Sequence, residues 1–441
     1  MTSARAIAVL LVALFATAAP AEALQLEAVG RAELLNNEAV RLHQAGRSAE
    51  GIPLAREALA LRERVFGPDH PDVAESLSVL GELLRTTGNF TEARPLYERA
   101  LLIIEKSVGA DSPALANVLI ELSFVRRGVR DFDGARAAYE RAHRIIEKSL
   151  GPNHATVGAS LMNLANLLAD MDQRAAARPL YARALAIFEK ARGANHIDLA
   201  PVLTGYANVL TSDGDFVSAR PLYERAIKIH ETNSGTTHPN VATGLHSLAE
   251  LHYRSGDYAA ARPLLERALA IDQLTLGPDH LHVARDLNSL GSLDRKQGND
   301  AAARPRFERA LAIMEKALGR DHPNVASAVT NLALLTDAMG DLKAARPLYE
   351  RALAGLERSL GPTHAELAPI ATGLGKVLVR TGDYAAARPL FERALALREA
   401  SLGPSHPDVA ATLDDLGGVL EKIGDTAGAE RVRERARSIR R

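Results

Sequence analysis

The sequence predicts an all-α solenoid of about ten stacked helix pairs, and three observations carry that prediction. The stretch Gly67-Pro-Asp-His-Pro-Asp-Val-Ala is the first of nine related copies, whose leading glycines stand 42 residues apart from Gly67 to Gly403 without insertion. Between copies the apolar residues fall at helical spacing and never alternate as in a strand. Composition agrees: the 441 residues are 47% hydrophobic, 24% charged and only 4% aromatic, with no Trp. Ala and Leu fill the apolar positions, a globular mixture that favours helix. A fixed period of this length means a repeat architecture, which governs how every other feature is read.

The unit 361–402 shows the elements in order. Leu367, Ile370, Ala371, Leu374 and Leu378 predict a first helix over about 364–380. Tyr384, Ala387, Leu390, Phe391, Ala394, Leu395 and Leu397 predict a second over about 383–401. Gly382 ends the first helix, and Gly recurs there in every pair except those with Arg130 and Asp172. That position needs a left-handed residue, which Gly adopts without a Cβ penalty and Asp tolerates. The Gly at the head of the long loop is expected to act in the same way. The third loop residue (Asp69, Asp111, Asn153 and their equivalents) has the chemistry of an N-cap. Pro71, Pro113, Pro239, Pro323 and Pro407 suit the first turn that follows. A second Pro series, from Pro53 to Pro389, lies about one and a half turns into the second helix, where a slight bend and an unbroken helix are expected.

The unit Gly382-Asp-Tyr-Ala-Ala-Ala-Arg-Pro-Leu-Phe-Glu-Arg-Ala-Leu-Ala-Leu-Arg resembles a tetratricopeptide repeat. Gly375, Gly382, Ala387, Phe391 and Ala394 match the small, turn and aromatic positions of that motif. The 42-residue period and the Gly-Pro-x-His-Pro-x-Val-Ala loop resemble the kinesin-light-chain type. The resemblance implies a right-handed superhelical α-solenoid whose first helices line a concave face. A propeller of similar period would need strands and a Trp-Asp signature, and there is no Trp.

Taken in order, residues 1–23 read as a secretory signal peptide. Arg5 precedes the apolar run Ile7–Ala16, and Ala21-Glu22-Ala23 fits a cleavage site. The run is short for a membrane span, which needs about 20 apolar residues. The expected product is therefore exported, periplasmic or secreted, with no membrane insertion after cleavage. Residues 24–441 hold ten helix pairs, the first degenerate over about 27–66 and the last a capping repeat. The final helix, about 425–440, puts Ala429, Val432, Ala436 and Ile439 on one face and six arginines around the rest. A solubilising cap is the reading preferred there over a basic contact surface.

Chemistry is sparse. Cys is absent, which removes disulfides, thiolate metal sites and a Cys nucleophile. The formal net charge of -1 points away from nucleic acid. Eight of the nine loops carry His, from His70 to His406. Stacked equivalent positions are separated by about two helix layers of roughly 10 Å, far beyond metal–nitrogen bonds of about 2 Å. These His are therefore read as packing or hydrogen-bonding groups at helix entrances. His246 and His252 are six apart, and His280 and His282 lack an evident third ligand. Gly373-Leu-Gly375-Lys376 lies inside a helix with no preceding strand, so it fails as a phosphate loop. No catalytic constellation, metal or cofactor is expected, and the chain reads as a non-enzyme.

The resemblance implies that partners bind the exposed positions of the first helices. Asn163, Asn166 and Asn208 make one uncharged polar stretch. Tyr253, Arg254, Arg285, Asn288, Arg295 and Asn331 make a second, with an arginine group suited to an acidic ligand. Asn can pair with a peptide backbone through both donor and acceptor. Related arrays carry an Asn ladder at the sixth motif position, but here only Asn37, Asn163 and Asn331 keep it. A peptide segment or protein partner on a shorter stretch of the concave face is the expected function. The alternative is a structural spacer or assembly scaffold that uses its ends and convex face. Nothing in the pattern sets an oligomeric state.

Overall fold

The computed structural model describes residues 25–441, so the expected signal peptide lies outside the described residues. Among the described residues there are 20 helices and no strand, an all-α solenoid. The first helices of the pairs are α1 (25–44), α3 (Pro71–Thr86), α5 (Ala114–Gly128), α7 (Ala155–Asp170), α9 (Leu199–Ser212), α11 (Pro239–Arg254), α13 (Leu281–Lys296), α15 (Pro323–Ala338), α17 (Leu367–Arg380) and α19 (Pro407–Lys422). Their partners are α2 (Ser48–Phe66), α4 (Phe90–Val108), α6 (Phe132–Leu150), α8 (Arg174–Arg192), α10 (Phe216–Ser234), α12 (Tyr258–Leu276), α14 (Asp300–Leu318), α16 (Leu342–Leu360), α18 (Tyr384–Leu402) and α20 (Thr426–Arg440). The chain divides into two compact units, Met1–Leu222 and Tyr223–Arg441.

Seven of the ten pairs carry one aromatic ring at the same position of the second helix, where the first pair has Ala55, the sixth Leu265 and the tenth Arg433. Tyr97, Tyr139 and Tyr181 in the first unit and Phe307, Tyr349 and Phe391 in the second share a repeat position and are all fully buried. The facing first helix must be small there. A Cβ added to Gly81 would stand 2.8 Å from the Tyr97 ring, and one on Gly375 would stand 2.8 Å from Phe391. The second helices that carry the proline, such as α4 and α18, run 19 residues with it inside, so the missing amide does not break them. Within each unit successive first helices touch, α3 with α5 and α7 with α9, then α13 with α15 and α15 with α17. The side chains on that side are brought together from several repeats.

The turn between the helices of a pair forms as expected. Gly382 has φ 83°, and Arg130 and Asp172 take φ 63° and 59° in its place. Two readings of the long loop need correction. Its leading Gly is not left-handed α: Gly67 sits at φ 82°, ψ 167° and Gly403 at φ 86°, ψ 156°, an extended region open essentially to Gly alone. In six of the nine loops the N-cap is not the third residue but the fourth, a His. The imidazole Nδ1 of His70, His322 and His406 accepts from the backbone N–H two residues on, at 3.2, 3.1 and 3.1 Å. The same bond recurs at His154, His196, His238, His280 and His364. A ring that accepts at Nδ1 carries its hydrogen on Nε2. In the loop without His, the Ser112 hydroxyl takes over, accepting from Ala114 N–H at 3.4 Å.

The displaced third residue ties the loop that enters a repeat to the end of that repeat's second helix. Asp111 pairs with Lys148 at 2.7 Å, and Asp279 pairs with Lys316 at 2.7 Å. A second series joins consecutive second helices: Arg141–Glu105 at 3.0 Å, Arg267–Glu231 at 2.7 Å and Arg393–Glu357 at 3.1 Å. Gln273 stands where the next Glu is due, and Arg309 turns to Asp279 at 2.8 Å. In α20, Ala429 and Ala436 are buried, and Arg433, Arg435 and Arg440 pair with Glu421, Glu399 and Asp414.

Candidate partner-binding faces

In the first unit, α7 and α9 bring Asn166 and Asn208 to one cleft of about 280 Å³, with Arg127, Asp170 and Arg174 on its walls. Asn166 Oδ1 accepts from the Tyr181 hydroxyl, whose ring is fully buried, and burial pushes that phenol upward. Arg127 and Asp170 pair at 2.5 Å, and Arg174 pairs with Asp213 at 2.8 Å. Asn163 is half-buried on α7, but it does not line this cleft.

In the second unit, α13 and α15 bring Arg285, Asn288 and Asn331 together around a larger pocket of about 510 Å³. Leu281, Met314 and Leu318 supply its apolar wall, and Ser289, Asn324 and Ser327 its polar rim. Asn331 donates through Nδ2 to Asn288 Oδ1 at 2.9 Å, one rung between neighbouring repeats. That bond leaves an amide oxygen on Asn331 and an amide nitrogen on Asn288 to face a ligand. Asn288 also borders an adjoining cleft of about 160 Å³ with Tyr253, Ser289 and Ser292. Arg295 is half-buried, and its charge opposes the upward shift of the Tyr253 and Tyr349 phenols, the latter pushed up to about 12 chiefly by burial. Among the described residues Arg295 makes no salt bridge. Arg254 is exposed at the end of α11, where its charge acts on Glu250.

Arg285 departs from expectation, because it is already engaged. Its guanidinium lies 3.1 Å from Asp286 and 3.5 Å from Asp272, both fully buried. His246 Nδ1 reaches Asp286 Oδ1 at 2.8 Å, and His282 Nδ1 stands 3.6 Å from Asp272. Asp272 Oδ1 and Asp286 Oδ2 are buried without a hydrogen-bond partner. Burial first, and the Asp286 charge second, push the Asp272 carboxyl up to about 6 against the pull of Arg285. Burial and then Arg285 hold His282 below its ordinary value. One shared proton between the two carboxylates would satisfy both orphan oxygens.

A readable signal marked this cluster. In the repeat frame, Asp272 and Asp286 stand where other pairs carry Ile104 with Val118, or Leu356 with Ile370. Two acids at core positions of one repeat are a local breach of the pattern, and such breaches concentrate at functional or strained sites. The same test finds Asp294, buried at a position that is Leu210 or Leu378 elsewhere, held by Arg262 at 2.6 Å and by Arg306. Among the described residues no group of three His, Asp or Glu could hold a metal ion.

Helix pairs locked by recurring caps and rungs, with one face that varies from pair to pair, define a helical-repeat scaffold. The chain belongs to the tetratricopeptide repeat family, whose repeat matches nine times over residues 30–103, 79–148, 114–190, 156–232, 198–273, 240–316, 287–358, 330–400 and 366–441. Such repeats generally serve as non-catalytic protein-binding scaffolds. Among solved structures, BtubC (BKLC) from P. vanneervenii is similar at 26% identity, over 52% of this chain and 90% of that one, with a TM-score of 0.45. A kinesin light chain from Podosopora anserina with nearly identical TPR-like repeats is similar at 25% identity, over 46% of this chain and 96% of that one, with a TM-score of 0.41. The apo form of RapI shares the fold at 14% identity, over 84% of this chain and 99% of that one, with a TM-score of 0.59. A search of curated proteins found no match.

Proposed function

We propose that this protein is an exported, non-enzymatic scaffold that holds a peptide segment or protein partner on its first-helix face. The observation that carries the reading is the pocket of about 510 Å³ between α13 and α15. It joins an apolar wall to an asparagine rung with free donor and acceptor atoms, the combination that suits an extended backbone with an apolar side chain. An acidic group on the ligand would find Arg295 and Arg254 before Arg285, which two carboxylates already occupy. The signal-like residues 1–23 support export, and a chain without Cys would be held together there by packing alone. No described helix is long and apolar enough to cross a membrane.

Site-specific photo-crosslinking tests the binding reading. A photoreactive residue at Ser327, on the pocket rim, is expected to capture a defined partner that one at Glu308, exposed on α14, does not. Equal capture at both positions would remove the pocket from the account. Alkaline phosphatase fused to the C-terminus tests export: activity is expected, and deletion of residues 1–23 is expected to abolish it.

A further inference from the structure

A second cleft, in the first unit and independent of the pocket above, has a different chemistry. It lies among α1, α3, α4 and α5 and encloses about 310 Å³. Val40, Val79, Leu83, Val118 and the Tyr97 ring line it, so most of its wall is apolar. Two carboxylates, Glu82 and Glu121, border it. Glu121 occupies the repeat position held by Asn163 and Asn331, and Val79 precedes it at the same position. The ladder amide is thus replaced here by an aliphatic group and an acid.

One cation serves the two acids. Arg85 pairs with Glu82 at 2.6 Å, and its Nε lies 3.0 Å from Glu121 Oε2. That contact is not aligned as a hydrogen bond, and Glu121 Oε2 is a buried oxygen without a hydrogen-bond partner. The remaining groups facing the pair are His43 of α1, 3.6 Å from Glu82, the Tyr97 hydroxyl of α4, 3.4 Å from Glu82, and Tyr139 of α6. With both acids ionised, the Arg85 triad carries one negative charge in excess, beside an aliphatic wall.

The geometry points to a binding site for a lysine or arginine side chain of a protein partner, its methylenes against Val79 and Val118 and its charged head at Glu121. A long cationic side chain buries an apolar stem and presents a donor head, the two features this cleft complements. Burial first, and the Glu82 charge second, push the Glu121 carboxyl up to about 7. A ligand cation favours the ionised form, so its uptake releases a proton and its affinity rises with pH.

Peptides selected from a random display library on the full chain at pH 8, with Glu121→Gln as the counter-selection, test the proposal. Enrichment of a Lys or Arg beside an aliphatic residue is expected. The selected peptide, resynthesised, should bind roughly tenfold more weakly at pH 6 than at pH 8 and at least about tenfold more weakly to Glu121→Gln. Val40→Lys, at the rim, tethers a competing ammonium without touching the core and should block binding. Asn331→Ala, in the other unit, should leave it unchanged, which separates this site from the pocket proposed above. Enriched peptides without a basic residue, equal binding to Glu121→Gln, or no enrichment over it would each overturn the proposal.

Discussion

Two buried acidic sites that share helix α13, one of them with α12, look alike in sequence and differ in charge balance. Asp294 meets two guanidiniums, Arg262 and Arg306. Asp272 and Asp286 meet one, Arg285, and each keeps an oxygen without a partner. The first site is a fastening: one carboxylate fixes α13 against the preceding and following second helices. The second is under-compensated, and the Asp272 carboxyl keeps its proton to a higher pH than a normal aspartate. Burial alone therefore does not distinguish structural from responsive polar groups; the count of partners does.

The largest effect should come from unbalancing the balanced site. Asp294→Ala leaves Arg262 and Arg306 facing each other half-buried and is expected to cost about 3 kcal/mol in chemical unfolding of the full chain. A loss under about 0.5 kcal/mol would mean that the site is merely decorative. Arg285→Leu should cost less, about 2 kcal/mol at pH 8, because its charge is partly solvent-screened. The cost should shrink at pH 5, where Asp272 carries a proton and less charge is stranded.

Acidity sharpens the same contrast. The folded state raises the Asp272 carboxyl from 3.8 to about 6, so the proton is bound more firmly folded than unfolded. Its stabilising contribution is complete below about pH 4 and is lost as pH rises through about 6. The melting temperature of wild type relative to Asp272→Asn should therefore fall between about pH 4.5 and 7.5. Smaller again is a loop cap: His406→Ala should cost about 1 kcal/mol and His406→Ser much less, since Ser112 already performs that task.

Most of the fold was legible because it is written nine times. Glycine turns, proline positions and the aromatic-over-small contact recur at one period, so each copy corroborates the others. The cap was misplaced because Asp and Asn are better-known caps than His, and only the Nδ1 contacts reveal which residue accepts. The site was legible in part. Asn288, Asn331 and Arg285 do converge on one pocket, as helical spacing implied. What spacing could not show is that Arg285 is spoken for, because Asp272 lies on another helix and Asp286 points inward from the same one. The acidic cleft was overlooked for a similar reason: Glu82 and Glu121 belong to different repeats, and only stacking brings them to one wall.

The central claim is that residues repeating every 42 positions build the scaffold, while departures on the first-helix face choose the partner. The dissociation constant of the partner captured from Ser327 tests it most directly, measured for wild type, Asn288→Ala/Asn331→Ala and Arg351→Ala. The account predicts at least about tenfold weaker binding for the asparagine pair, about 1.4 kcal/mol, with an unchanged melting temperature, and no change in affinity for Arg351→Ala, which removes a recurring rung to Glu315. Undiminished binding to the asparagine variant, or loss on removing the rung alone, would contradict it.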